Sequence, residues 1–226
     1  MANAKKKDIE ELRKENAEAT VSSAEKFYNE NKKVIWTVIG AIIVIGLAIL
    51  GYQKFIYQPK CAEAMQQCYP AEINFQNAEY DLALNGDGNT FGFAQIIEDY
   101  GSKAGKAVYL YAGVCELQLG NYESALNYLK KYKGKDSILK ARALECMGDA
   151  YVGLEDYQQG LACFEKAAAV AENVFTPNYL LKAGQVYEKI GDNESALRCY
   201  REIKDRYPNS LENYNIDSYI ARIEAQ

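Results

Sequence analysis

The sequence predicts an all-α fold, one N-terminal transmembrane helix followed by an α-solenoid of helical hairpins. Three observations lead there. Apolar and polar residues show no regular alternation and only 4 Pro occur in 226 residues, which argues for helix over an all-β fold. One run, residues 34–50, carries no charge. Small and aromatic residues then recur at helical spacing, most regularly in residues 140–157, KARALECMGDAYVGLEDY, where Leu144, Met147, Gly148 and Tyr151 share a face. An acidic turn at Glu155 and Asp156 leads into a second helix carrying Gly160, Phe164 and Ala167.

Composition narrows the function. The chain is 49% hydrophobic and 25% charged, with 19 Tyr, as expected of a globular protein rather than a disordered one. Residues 1–33 hold eight basic and seven acidic side chains, so the net charge of -5 leaves -6 on the remainder. No basic stripe is present there to neutralise phosphates, so nucleic acid is not an expected partner. The absence of His removes Ser-His-Asp, Cys-His and His-ligated zinc chemistry. Cys61, Cys68, Cys115, Cys146, Cys163 and Cys199 contain no CxxC pair. Their even number permits disulfides, whereas the small apolar positions that four of them occupy in the repeats favour buried thiols.

Residues 1–33 are expected to form a polar cytoplasmic tail, either a short helix with frayed ends or a solvated segment. Residues 34–52 are long enough as helix, about 28 Å, to cross a bilayer. Lys32 and Lys33 stand before the run, and Tyr52, Lys54 and Tyr57 follow it, as interfacial residues do. A cleaved signal peptide fits less well, because 33 residues precede the run and Ala62-Glu63-Ala64 lies too far beyond it. Lys14, Lys26, Lys32 and Lys33 before the span, against Lys54 and Lys60 after it, place the N-terminus in the cytoplasm and the remainder outside.

Residues 60–84 read as helix that Pro70 kinks or divides, and Asn85-Gly86-Asp87-Gly88-Asn89 as a loop. Asp87 there lacks the spacing of a calcium loop. A helix over 90–100 completes an irregular hairpin within 53–105, a divergent repeat or a cap. Three clearer hairpins fill 106–208, with Gly113, Gly148 and Gly184 in equivalent positions. Glycine there lets the two helices of a hairpin approach, and the aromatics fill the space between neighbours. Thr176 is placed to N-cap the helix that Pro177 opens, and Gly120 and Gly191 suit left-handed C-caps. Residues 209–226 hold a closing helix whose polar side faces outward.

These spacings resemble the tetratricopeptide repeat pattern, W-x2-L-G-x2-Y, then A-x3-F, then P. The second repeat supplies Leu144, Met147-Gly148, Tyr151, Gly160, Phe164 and Ala167, and the third Leu180, Ala183-Gly184, Tyr187, Ala196, Tyr200 and Pro208. The first departs from the pattern at Glu116 and Tyr132. The layout, with FYNENKK at 27–33 and GSKAGKA at 101–107, is similar to the ancillary Sec-translocon subunit family, single-pass inner-membrane proteins with periplasmic repeats. That resemblance implies a membrane-anchored scaffold or chaperone-like adaptor that binds translocon components or exported proteins near the secretion machinery.

The family's concave groove, mapped onto this chain, is lined by Leu110, Val114 and Leu117, then Arg142, Glu145, Asp149 and Val152, then Asn178, Leu181, Gln185 and Glu188. A chaperone-binding subgroup clamps a C-terminal carboxylate there with Lys and Asn; Leu110 and Val114 in this chain argue against that use. A partly apolar, partly acidic groove suits a peptide of apolar and basic character. Alternatively, the 60–84 helix covers Leu110 and Val114. A self-associating organiser of envelope complexes and an organelle import receptor are the competing functions. No enzymatic activity, cofactor or metal is expected.

Overall fold

The computed structural model describes residues 2–170 and 172–225, with side chains described at residue 22 and from 25 onward except 171. The described residues form helices and turns with no strand; Gly86 and Phe91 make one isolated bridge. They fall into two units, residues 1–59 and 60–226.

The first unit is helix α1 (Ala2–Tyr52) and a π-helical turn, Gln53–Tyr57. The short helix expected in the tail is therefore part of a 51-residue helix. Among the described residues one helical stretch, Glu25–Gln76, is long and apolar enough to cross a membrane. Its large apolar residues, including Trp36, Ile42, Val44, Leu47 and Leu50, are exposed.

The second unit begins within α2 (Gln58–Gln76), which runs through Pro70. The expected division falls instead at residues 77–79, where Ala78 takes φ 61 and ends the helix. Short helices α3 (Tyr80–Asn85) and α4 (Phe93–Tyr100) follow. The loop between them is closed by Asp87, whose Oδ1 accepts from the backbone N–H of Asn89 and Thr90 and from the Thr90 hydroxyl. Those donors hold its carboxyl below the usual range. Phe75 of α2 stands with Tyr80, Phe93 and Tyr111 in an aromatic cluster, its centroid 5.1 Å from that of Tyr111.

Three hairpins come next: α5 (Ala107–Gln118) with α6 (Tyr122–Leu129), α7 (Ser137–Gly153) with α8 (Tyr157–Val170), and α9 (Thr176–Lys189) with α10 (Asn193–Arg206). One contact recurs in all three. A Cβ on Gly113 would meet Leu129 Cγ at 2.6 Å, one on Gly148 would meet Phe164 Cε1 at 2.5 Å, and one on Gly184 would meet Tyr200 Cε1 at 2.3 Å. In each hairpin the large residue lies sixteen positions beyond its glycine. The glycine face of the first helix thus receives the large side chain of the second, as the spacing predicted.

The turns within the hairpins share one geometry. Gly120 and Gly191 take φ 80 and 81, and the next N–H bonds back to Glu116 and Tyr187 carbonyls at 2.8 and 2.9 Å. The middle turn makes the same bond, from Asp156 N–H to Tyr151 O at 2.9 Å, but with Glu155 at φ 60. Aspartates then cap the next helices, Asp156 towards Gln159 N–H and Asp192 towards Ser195 N–H. Thr176 departs from its expected role. Its hydroxyl accepts from Asn173 N–H at 3.0 Å, bracing the preceding turn, and Phe175 takes the N-cap position.

Helix α11 (Ile216–Glu224) closes the array, burying Ile216 and Ile223 against Leu180, Ala196, Tyr200 and Ile203. Five of the six cysteines are buried and none is bonded to another. Burial pushes the Cys68 and Cys199 thiols up to about 11 and those of Cys115 and Cys146 to about 12.

Two substitutions test the hairpin geometry by urea unfolding. Gly148→Ala is expected to cost about 1–3 kcal/mol by driving a methyl into the Phe164 ring. Glu155→Gly is expected to stabilise the chain by about 1 kcal/mol, because glycine adopts the positive φ without strain.

Candidate functional site

The expected groove divides three ways in the structure. Leu110 and Val114 are only 3% and 8% exposed, packed with Leu126, Leu129, Ala143, Cys146 and Ala150. Phe75 and the half-buried Leu117 border the same cluster. These residues are therefore core between the first and second hairpins, not an open apolar stripe. Val152 likewise leaves the groove; it packs against Leu161 and Phe164, and a Cβ on Gly160 would strike its Cγ2 at 2.8 Å.

Three of the third-repeat residues lie under the closing helix. Leu181 packs against the cluster that contains Ile216 and Ile223. Glu188 accepts two bonds from Arg222 Nη2, at 2.6 and 3.0 Å, and Gln185 reaches the Tyr219 hydroxyl at 3.5 Å.

What stays open is a cleft of about 520 Å³ along the N-terminal halves of α7 and α9. Spacings of three and four place Arg142, Glu145 and Asp149 on one side of α7, and a spacing of four puts Asn178 and Lys182 on α9. Lys182 Nζ donates to Glu145 Oε1 at 2.6 Å and to Asp149 Oδ2 and Oδ1 at 2.6 and 2.9 Å. Arg142 Nη1 donates to Glu145 Oε2. Both oxygens of Glu145, which is 1% exposed, thus have cationic partners. An unpaired carboxylate at that depth would cost several kcal/mol.

Titration follows the same geometry. Burial raises the Asp149 carboxyl above its ordinary value, although Lys182 pulls it down. For Lys182, burial alone would lower the ammonium; Asp149 and Glu145 outweigh it and the net shift is upward. The Tyr179 hydroxyl, buried with no hydrogen-bond partner among the described residues, is pushed up to about 12 by burial and then by Glu145.

The rim is apolar. Val174 and Phe175, from the turn before α9, are 81% and 50% exposed, and Leu211, from the turn before α11, is 91% exposed. Sequence spacing selected Arg142, Glu145, Asp149 and Asn178 for this face. It missed Lys182, Val174, Phe175 and Leu211. The apolar residues at 174, 175 and 211 in otherwise polar turns were the available signal.

Comparison with known proteins agrees with this architecture. Tetratricopeptide repeat models match residues 139–209 and, separately, residues 107–136. The matched segments overlie the three hairpins, so α5–α10 are similar to tetratricopeptide repeats. The crystal structure of MamA protein shares the fold at a TM-score of 0.56 and 17% identity, over 74% of this chain and 83% of that one. No curated protein sequence matches.

Lys182→Met is expected to destabilise the chain by about 2–4 kcal/mol, since it removes one partner from a buried carboxylate. The double variant Lys182→Met/Glu145→Met should regain much of that loss in the same urea titration. The pH dependence has a definite sign. A raised lysine contributes stability that is fully present below its ordinary 10.5 and is lost as pH rises through the higher folded value. The wild-type and Lys182→Met stabilities should therefore converge in alkali, above about pH 10.5. Asp149, also raised, has the same sign in a lower window: its contribution is present below its ordinary 3.8 and is lost as pH rises through the higher folded value.

Proposed function

We propose that this chain is a membrane-anchored protein-binding scaffold or chaperone-like adaptor of the inner membrane. In this reading residues 34–52 span the bilayer, the N-terminus is cytoplasmic, and the repeats work in the periplasm near protein secretion machinery. The observation that carries the anchor is the exposure of the charge-free 34–50 run within α1. An apolar surface of that length is unfavourable in water and is satisfied by hydrocarbon. The lysine bias before the run supports the orientation. Tetratricopeptide repeats mediate protein–protein interaction, and the open cleft on α7 and α9 supplies a surface for it. The likeness of residues 27–33 and 101–107 to ancillary translocon subunits supports the secretory setting.

Three measurements test this. The chain should stay with membranes on alkaline carbonate extraction, and Ile42→Asp/Ile45→Asp should release it. A membrane-impermeant maleimide should label Lys135→Cys in intact spheroplasts; labelling only after lysis would reverse the topology. Photocrosslinking from the Leu211 position in intact membranes should recover exported or translocon proteins, and recovery of neither would remove the secretory role.

A further inference from the structure

Charge is segregated along the helices of the second unit. Residues 60–226 carry 17 basic and 24 acidic side chains, an excess of acid that hides any basic stripe in the sequence. All eight bases before Arg142 are lysines, and they gather at one end of the helices. Lys60 lies in the first turn of α2, and Lys103 and Lys106 between α4 and α5. Lys130, Lys131, Lys133 and Lys135 follow α6, and Lys140 lies in the first turn of α7. Side-chain contacts draw these places together. The Tyr100 hydroxyl donates to Glu63 at 3.0 Å, and Asp99 borders one hollow with Lys60 and another with Tyr128 and Lys131.

Four carboxylates stand at the same edge, Glu63, Glu98, Asp99 and Asp136. Glu63 is held by Tyr100, and Asp136 caps α7 at the Leu139 N–H. By contrast, Glu116, Glu123, Glu155 and Asp156 lie at the turns within hairpins, the opposite ends of the same helices. None of the eight lysines makes an ion pair within the described residues, and all but the half-buried Lys103 are exposed. Lys130 and Lys131 lie over the rings of Tyr151 and Tyr128. Beside them Ile138 and Leu139 are 44% and 41% exposed.

We propose that this edge docks on a bilayer through anionic phospholipid headgroups, the lysine ammoniums meeting phosphates while Ile138 and Leu139 enter the interfacial layer. The inference goes beyond the protein-binding cleft and takes only its setting from the membrane anchor. Eight lysines against four carboxylates leave a positive edge on an acidic domain, complementary to an anionic surface. A lipid surface takes both the charge and the two apolar side chains, whereas nucleic acid takes the charge alone. Reach agrees: Lys60 follows Tyr52 by eight positions, so even a fully extended link holds it within about 30 Å of the span's end.

The test uses the full chain in nanodiscs of phosphatidylcholine, with or without phosphatidylglycerol. Acrylodan is attached at Ser137→Cys in a Cys61→Ser background, where the remaining thiols are buried. Its emission should shift to the blue in anionic discs and not in neutral ones, and salt at about 0.5 M should largely abolish the shift. A lysine near an anionic surface favours docking about fivefold, so Lys131→Gln/Lys133→Gln/Lys135→Gln should weaken it about a hundredfold and remove the shift. That variant should stay with membranes on carbonate extraction, which separates the edge from the anchor. Equal emission in the two discs overturns the proposal, as does a shift that survives the triple variant. A shift in neutral discs on adding an oligonucleotide or an acidic peptide would assign the lysines to that partner and overturns it too.

Discussion

The contact between a glycine on the first helix of a hairpin and a large side chain on the second underlies the rest of the repeat domain. With no Cβ at Gly148, the Phe164 ring lies directly on the backbone of α7; Gly184 and Tyr200 repeat the arrangement, as do Gly113 and Leu129. Close approach at these points fixes the pairing of the helices, and so decides which faces remain for the next hairpin. Leu110, Val114, Ala143 and Cys146 then form one interface and Leu161, Phe164, Ala183 and Val186 the next. A solenoid built this way gains stability from neighbours alone, and its first-helix faces become a continuous surface. The cleft between α7 and α9 is a consequence of that stacking.

The ion cluster at the base of the cleft is tied to the same stacking. Lys182 comes from the third repeat and both of its carboxylate partners from the second. Exposed pairs elsewhere, such as Lys204 with Asp217, add little. Glu145 differs because it is buried, so a misregistered packing of α9 on α7 would strand a carboxylate without its ammonium. The cluster thus penalises wrong stacking more than it rewards right stacking. It also keeps two carboxylates from advertising negative charge to a partner.

Much of this architecture was legible in the chain. Helical spacing identified the hairpins, the glycine period located their close contacts, and Gly120 and Gly191 marked the turns. The binding surface was less legible, for a physical reason. Leu110 and Val114 obey the same spacing whether they line a groove or meet the next hairpin, and only the position of α7 decides between the two. Glu188 reads as acidic groove until Arg222, 34 residues on, is brought beside it. Glu145 and Asp149 read as acidic because Lys182 is 37 and 33 residues away. Charge is a property of the assembled face, and a mapping of single positions cannot assemble it. Pro70 makes a related point: local preference allowed a kink or a division there, and α2 continues undivided to Gln76.

A cleft whose charged groups are paired with one another gains little long-range electrostatic attraction, so its selectivity must come from shape and from burial of apolar side chains. Contacts of that kind are individually weak, and a free protein using them would need high partner concentrations. If residues 34–52 anchor the chain, the concentration that matters is local. Confinement to one membrane converts a weak encounter into a frequent one for any partner emerging at that surface.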